Sequence, residues 1–227
     1  MNNKKILVLN ITPKCNMDCQ FCFGPKKGAG GITEEQGRKI IDQARLDGVK
    51  KIVFTGGEPL LCSYLLNLLK YAKEKRLFVI LHTNGLLLNW DRIKILEKLI
   101  DQINLPLDGY DEKTNSGMRL PGHFKKIMKI LTLLKKSSIR VIISTVVTSS
   151  NKYFVNNIGN ILPEFIYKWR VFQFKAEGKA IKYEKKLKIA NEEFKEIQEK
   201  VAKKKLKFKV QFVKSNDREF EDSYYVI

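Results

Sequence analysis

The sequence predicts an α/β fold, a partial barrel of six βα units with a short C-terminal helix and strand extension. Three observations predict it. Strand-like runs alternate with helix-period segments over the first three quarters of the chain; the intervening helices are long enough that successive strands pair in parallel with right-handed crossovers; and six units are too few to close an eight-stranded barrel. At 227 residues the chain can bury a substantial core as a single domain. Residues 1–179 are expected to form the barrel and 180–227 an extension of the same domain.

The strand-like runs are Ile6–Ile11, Lys51–Thr55, Leu77–His82, Gln102–Leu107, Arg140–Thr148 and Trp169–Phe174. Between them, apolar residues recur at helical spacing. Ile40, Ile41 and Ala44 share a face, as do Leu65, Leu68, Leu69 and Ala72, then Ile93, Leu96 and Leu99, then Phe124, Ile127, Leu131 and Leu134, then Phe154, Ile158, Ile161 and Leu162. Thr33 and Gln36 fit a capping box at the start of the first helix, and Gly48 fits its stop. After Ala180 the pattern predicts a lysine-rich helix over Asn191–Lys204, a strand over Phe208–Val213 and a polar tail. In a parallel βα barrel, chemistry belongs at the C-terminal strand ends. That rule gathers Cys15–Cys22, Gly56–Pro59, His82–Gly85, Asp108–Gly109 and Thr145–Ser149 around one mouth.

The formal charge is +19 and the isoelectric point near 9.7. An anionic partner such as a nucleotide, a nucleic acid or a phosphorylated substrate would suit that charge. The lysines, however, fill the exposed faces of nearly every expected helix, as in Lys125-Lys126, Lys135-Lys136 and Lys203-Lys204-Lys205, and no aromatic-rich RNA-binding signature accompanies them. Solvated helix faces account for the charge without nucleic acid as a partner. Met1–Lys5 runs straight into Ile6-Leu7-Val8-Leu9 with no signal-peptide pattern, and no apolar run approaches a membrane span, so a cytoplasmic protein without membrane association is expected.

Of the four cysteines, three lie within eight residues: Cys15, Cys19 and Cys22, spaced Cys-x3-Cys-x2-Cys. Such clustering favours metal over disulfide chemistry. Three thiolates can hold three corners of a 4Fe-4S cube and leave one iron open. A structural zinc site is the bland alternative. It needs four closed ligands, and only Cys62, His82 and His123 are available to complete it, none in a paired spacing. Cys62, just after Gly56-Gly57-Glu58-Pro59, reads as a small packed residue.

The loop Cys15-Asn16-Met17-Asp18-Cys19-Gln20-Phe21-Cys22, followed by Gly56-Gly57-Glu58-Pro59, resembles the radical S-adenosylmethionine (SAM) superfamily, in which an aromatic residue precedes the last cysteine. The resemblance implies that Cys15, Cys19 and Cys22 ligate a 4Fe-4S cluster. It also implies that Phe21 lies against the adenine of SAM, and that Gly56, Gly57, Glu58 and Pro59 form the motif meeting the amino group, with Glu58 orienting it. Thr83 and Asn84 would be polar neighbours of SAM, and Arg119, whose planar fork suits a carboxylate, would hold the SAM carboxylate. The cluster would donate one electron to the sulfonium, and the resulting 5′-deoxyadenosyl radical would take a hydrogen atom from substrate. No residue beyond the cluster ligands is then catalytic. His82 is expected to be packed or hydrogen-bonded, and His123 to be a helix-start residue with no chemical role. Val146, Val147 and Phe172 would shelter the radical. A reductant such as ferredoxin or flavodoxin would be the protein partner.

Within the superfamily, Lys168-Trp169-Arg170-Val171-Phe172-Gln173, Asn191-Glu192-Glu193-Phe194, Lys214-Ser215-Asn216 and Asp222-Ser223-Tyr224 look like the viperin family. Viperins abstract the C4′ hydrogen of CTP to make 3′-deoxy-3′,4′-didehydro-CTP. On that resemblance Lys51, Lys168 and Arg170, taken as strand-end residues, would meet the triphosphate. The chain departs from the viperin pattern at Phe23-Gly24-Pro25-Lys26, Val53, Ile142 and Ser144, where viperins carry polar groups. A peptide- or protein-modifying enzyme and a glycyl-radical activase are the competing readings within the superfamily. From another class come a non-catalytic iron–sulfur electron carrier, which would ligate all four irons with cysteine, and a nucleic-acid-binding protein.

Overall fold

The computed structural model describes residues 6–24, 30–216 and the backbone of 224–226. Its core is one parallel sheet with strand order β7-β6-β5-β4-β3-β2-β1-β8. The strands are β1 Ile6–Thr12, β2 Lys51–Gly56, β3 Phe78–His82, β4 Gln102–Pro106, β5 Arg140–Val147, β6 Lys168–Gln173, β7 Lys209–Val213 and β8 Tyr224–Val226. The six anticipated strands lie where the pattern put them, to within two residues at each end. Every neighbouring pair is parallel, as crossover helices require. The helices are α1 Glu34–Leu46, α2 Leu65–Glu74, α3 Trp90–Glu97, α4 Glu112–Ser116, α5 His123–Leu134, α6 Val155–Ile161, α7 Glu184–Leu187 and α8 Asn191–Ala202.

The capping box on α1 forms in both directions, Thr33 Oγ1 accepting from Gln36 N–H and Gln36 Oε1 from Thr33 N–H, and Gly48 takes the left-handed conformation (φ 77°) just past the helix end. Both edges of the sheet come from the C-terminal quarter: β7 pairs with β6, and β8 with the start of β1. The stretch read as a polar tail thus supplies an edge strand. Three residues pairing with the far end of the chain leave no periodicity to detect. The tail residues Asp222 and Ser223, like Met1–Lys5, Pro25 and Lys26, lie outside the described residues.

Strand alternation sets the two faces of the sheet. Leu7, Leu9 and Ile11, Ile52 and Phe54, Val79 and Leu81, Ile103 and Leu105, Val141 and Ile143, Trp169 and Val171 are buried against the helices in one core. The intervening residues, Asn10, Thr55, His82, Asn104, Ser144, Lys168 and Arg170 among them, therefore face the barrel interior. Val147 is a correction: it is fully buried with the helix-facing set, so Val146 and Phe172, but not Val147, are placed to line the interior. No helix among the described residues is long and apolar enough to cross a membrane.

Candidate active site

The cysteine loop leaves the C-terminal end of β1, and its x2 spacing closes a turn in which Cys22 N–H donates to the Cys19 carbonyl (3.3 Å). All three thiols are free. The next strand end is pressed against this loop. Gly57 N–H donates to Thr12 O (2.6 Å) and Glu58 N–H to Lys14 O (2.7 Å). A Cβ on Gly57 would lie 2.2 Å from Lys14 O, and one on Gly56, at φ 134°, 2.3 Å from Thr12 O. Glycine is required at both places because two backbones touch there.

Glu58 is fully buried. Its Oε1 accepts from Leu60 N–H (3.0 Å) and Thr83 Oγ1–H (2.7 Å), its Oε2 from Asn84 N–H (2.7 Å). Burial pushes its carboxyl pKa up, and those three donors oppose the rise. Glu58 thus braces the turn against the end of β3, a role its sequence context did not announce. Asn84, held this way, donates from Nδ2 to Asn16 Oδ1 (2.7 Å) and stands 4.0 Å from Cys15 Sγ. Pro59 is buried at the start of the short 3-10 turn, whose end is Cys62, half-buried against the main core.

On the other side of the loop, Arg119 donates through Nε to Asp108 Oδ2 (2.6 Å) and from a terminal nitrogen to Cys19 Sγ (3.5 Å). Its guanidinium lies 4.7 Å from the centre of the Phe21 ring. Phe21 itself packs with Met118, Phe174, Ala180 and Leu187 in a second apolar cluster. Asp108 is fully buried and also accepts from Val146 N–H (2.8 Å), tying β4 to β5. The carboxylate that Arg119 meets in the folded chain is therefore Asp108. Lys179 holds Asp18 of the loop (2.7 Å) and Lys186 donates to Gln20 (3.0 Å). A cavity of about 230 Å³ lies beside the loop, lined in part by Cys19, Phe21, Met118, Arg119 and Lys186.

His123 opens α5, as expected of a helix-start residue, and its side chain is also part of the frame. Its ring is fully buried, Nε2–H donating to the Asn84 carbonyl (3.1 Å) and Nδ1 accepting from Asn115 Nδ2 (3.0 Å). A carbonyl partner demands the proton on Nε2 and leaves Nδ1 as acceptor, so the ring is neutral. Burial, aided by the Arg119 charge, lowers its pKa to about 4. Asn115 Oδ1 in turn accepts from Asp108 N–H (3.0 Å). A chain of bonds therefore runs from Asp108 through Asn115, His123 and Asn84 to the edge of the cysteine loop. Asn151 completes it from the turn after β5, donating to Asp108 O (3.1 Å) and Val146 O (2.8 Å). None of these partners shares a local motif, so only the fold could reveal them.

The donor set fits an iron–sulfur cluster. Three cysteine thiols on one short loop act on one another's charge, and a cube asks for one thiolate on each of three irons. Cys22 Sγ accepts from Gly24 N–H (3.3 Å), where a Cβ would approach the sulfur to 3.1 Å. In the bare thiols, burial raises the pKa of Cys15, opposed by the Met17 N–H, and that of Cys19, opposed by Arg119. The sequence model of the radical SAM superfamily matches residues 9–152, which span the loop, the glycine turn, the β3 end and Arg119. The chain belongs to the radical SAM superfamily.

As a radical SAM enzyme domain it carries the superfamily's cofactors, a 4Fe-4S cluster and SAM. It is 27% identical over 167 residues to the Fe-coproporphyrin III synthase of Methanosarcina barkeri, covering 72% of this chain and 42% of that protein. It is 30% identical over 196 residues to an S-adenosylmethionine-dependent nucleotide dehydratase of Flammeovirga pacifica, covering 75% of this chain and 66% of that one. Among solved structures, Streptococcus suis SuiB bound to precursor peptide SuiA superposes with a TM-score of 0.78 at 20% identity over 93% of this chain and 49% of SuiB. That likeness is one of fold. The chain spans less than two thirds of the length of the curated relatives it matches.

The residues expected to meet substrate lie near the starts of their strands. Lys51 and Lys168 open β2 and β6 rather than close them, and Arg170 is the third residue of β6. From Lys51 to Gly56 the strand rises about 16 Å, so these cations occupy the floor of the barrel and not the mouth that holds the cysteines. Val53 and Ile142 are buried and Ser144 Oγ donates to Asn104 Oδ1 (2.9 Å). Two of the viperin-like motifs beyond the barrel, Asn191-Glu192-Glu193-Phe194 and Lys214-Ser215-Asn216, meet at the end of β6: Gln173 accepts from Ser215 N–H (3.1 Å) and donates to Asn191 Oδ1 (3.0 Å).

Proposed function

We propose that this domain seats SAM on a 4Fe-4S cluster held by Cys15, Cys19 and Cys22 and acts on a nucleoside triphosphate whose phosphates occupy the barrel floor. When bound, the cluster supplies the electron that cleaves SAM and yields a 5′-deoxyadenosyl radical able to take hydrogen from substrate. The chain's residues supply position. Glu58 and His123 fix Asn84 beside the loop, Arg119 and Asp108 brace Cys19 and Phe21, and Gly56 and Gly57 let the turn approach the ligand closely. Phe21, Thr83, Asn84 and Arg119 are then the nearest side chains for SAM. Val146 and Phe172 keep water from the reacting carbon.

One observation carries the substrate class. Lys168 stands opposite Lys209 and near Arg170 and Lys51, none of the four having a carboxylate partner among the described residues, and burial, then the charges of Arg170, Lys209 and Lys51, hold the Lys168 pKa below its ordinary value. Unbalanced charge inside a barrel calls for an anion. The Flammeovirga pacifica relative, by name a nucleotide dehydratase, supports the same class. A carboxylate-bearing tetrapyrrole is the second reading, since it would meet the same cations and the Methanosarcina barkeri relative is by name a porphyrin enzyme. The test is anaerobic reconstitution, dithionite reduction and measurement of 5′-deoxyadenosine with CTP, UTP, GTP, ATP, Fe-coproporphyrin or no addition. Acceleration by one nucleotide is expected; acceleration by the porphyrin alone overturns the nucleotide class and leaves the SAM chemistry standing.

A further inference from the structure

Two buried polar side-chain atoms in the described residues lack any hydrogen-bond partner, His82 Nε2 and Arg170 Nε. They are not scattered. His82 is the last residue of β3 and Arg170 the third of β6, both on the interior face by strand alternation, and the Arg170 charge bears directly on the His82 ring. A buried nitrogen without a partner is costly, and a native fold tolerates two on one interior face, within reach of each other's charge, where a ligand completes them.

The charges around the pair form a gradient. Lys51 at the start of β2, Arg140 at the start of β5 and Lys209 at the start of β7 are exposed, while Lys168 and Arg170 on β6 are half-buried. Arg140 rests on the rings of Tyr167 (4.3 Å) and Phe78 (5.6 Å), and Lys168 donates to Gln211 (3.2 Å). β4 contributes the uncharged Gln102, Asn104 and Pro106 to this face. No described carboxylate pairs with Lys51, Lys168, Arg170 or Lys209, so cationic charge narrows from an open rim to two unpartnered nitrogens.

Resting on the nucleotide reading above, we propose that His82 is a substrate-binding residue, its Nε2 meeting a phosphate oxygen together with Arg170 Nε, and that phosphate binding carries a proton onto the imidazole. In the empty barrel burial and the Arg170 charge hold His82 neutral, with a pKa lowered to about 3. A phosphate anion between the two groups reverses the sign of the local field and supplies an acceptor for a second ring N–H. His82 then reads charge as well as shape, favouring a polyphosphate over the uncharged nucleoside.

The chain has only two histidines, His82 and His123, so ring NMR signals can be assigned with a single His123→Gln variant. Calorimetry of CTP, UTP, GTP, ATP and inorganic tripolyphosphate, in buffers of different ionisation enthalpy, is run on the reconstituted protein with and without His82→Gln and Arg170→Gln. Expected are proton uptake by the native protein, an imidazolium shift at His82 and not at His123, and a loss of affinity of about tenfold or more in His82→Gln. Unchanged affinity in His82→Gln, or a His82 ring left neutral in the saturated native protein, overturns the inference and leaves the nucleotide reading intact. Tripolyphosphate binding with proton uptake but no nucleotide binding overturns that reading and keeps the His82 contact. No binding of either overturns both.

Discussion

The mouth of the barrel and its floor solve opposite electrostatic problems. At the mouth the charged and polar groups are matched within the chain: Arg119 with Asp108, Glu58 with three donors, His123 with Asn84 and Asn115. Deeper in the interior, Lys168 lies among Arg170, Lys209 and Lys51, and among the described residues the interior nitrogens Arg170 Nε and His82 Nε2, the latter at the end of β3, have no hydrogen-bond partner. A frame complete in itself suits a cofactor common to a superfamily, because its geometry must stand before the cofactor arrives. A surface complementary to something outside the chain suits the variable substrate.

The hardest blow to the mouth is loss of a ligand. Cys19→Ala should abolish iron retention of about four per chain and, with it, 5′-deoxyadenosine formation. Retention of iron and turnover would remove the cluster assignment. Breaking the frame comes next. Arg119→Ala leaves Asp108 buried without its partner, Arg119 being 12% and Asp108 0% exposed in the side chain. Loss of one partner in a buried pair costs about 3–5 kcal/mol, a melting temperature lower by roughly 10 °C for a chain of this size. A change within a degree or two would show that Asp108 is satisfied by Val146 N–H alone.

Much of the mouth was legible in sequence because its chemistry is local. Cys15, Cys19 and Cys22 lie on one loop, and Gly56-Gly57 announces a close backbone approach. What was illegible is the bracing. Asp108 and Arg119 are eleven residues apart and meet only because a helix turns the chain back, and His123 reaches Asn84 in the loop after β3. Lys51 and Lys168 open their strands as the pattern had them, but that they share an interior with Arg170 and Lys209 shows only in the fold. Edge strand β8 escaped for a similar reason: its partner is at the other end of the sequence.

Acid should expose the two histidines next. Both folded pKa values, about 4 for His123 and about 3 for His82, lie below the unfolded value of about 6.5. The unfolded chain therefore binds more protons between about pH 6.5 and the folded pKa, and stability falls as pH falls through that window. For His123 alone the full loss is on the order of 3 kcal/mol. Urea unfolding between pH 7 and 5 should show a declining midpoint that flattens in His123→Gln, the raised Glu58 carboxyl working in the opposite sense in both proteins. A saturating phosphate ligand should flatten the His82 share, because the floor then welcomes the proton. A flat native profile would mean that neither ring is held neutral.

The smallest effect is also the one most particular to the floor. Lys168 is crowded by Arg170, Lys209 and Lys51, and its only described hydrogen bond is to the uncharged Gln211. Lys168→Met keeps the aliphatic stem over the barrel interior and removes one of the mutually repelling charges. The apo protein should therefore be as stable as the native chain or more stable by up to about 1 kcal/mol, whereas Arg119→Ala at the mouth moves stability the other way. Raising salt should narrow the Lys168→Met difference through screening. In the presence of a triphosphate the order should invert, the native chain gaining more stabilisation from the ligand than the variant does. If Lys168→Met instead destabilises the apo protein, the floor is balanced by groups of the chain itself, and the contrast between a completed mouth and an incomplete floor fails at that residue.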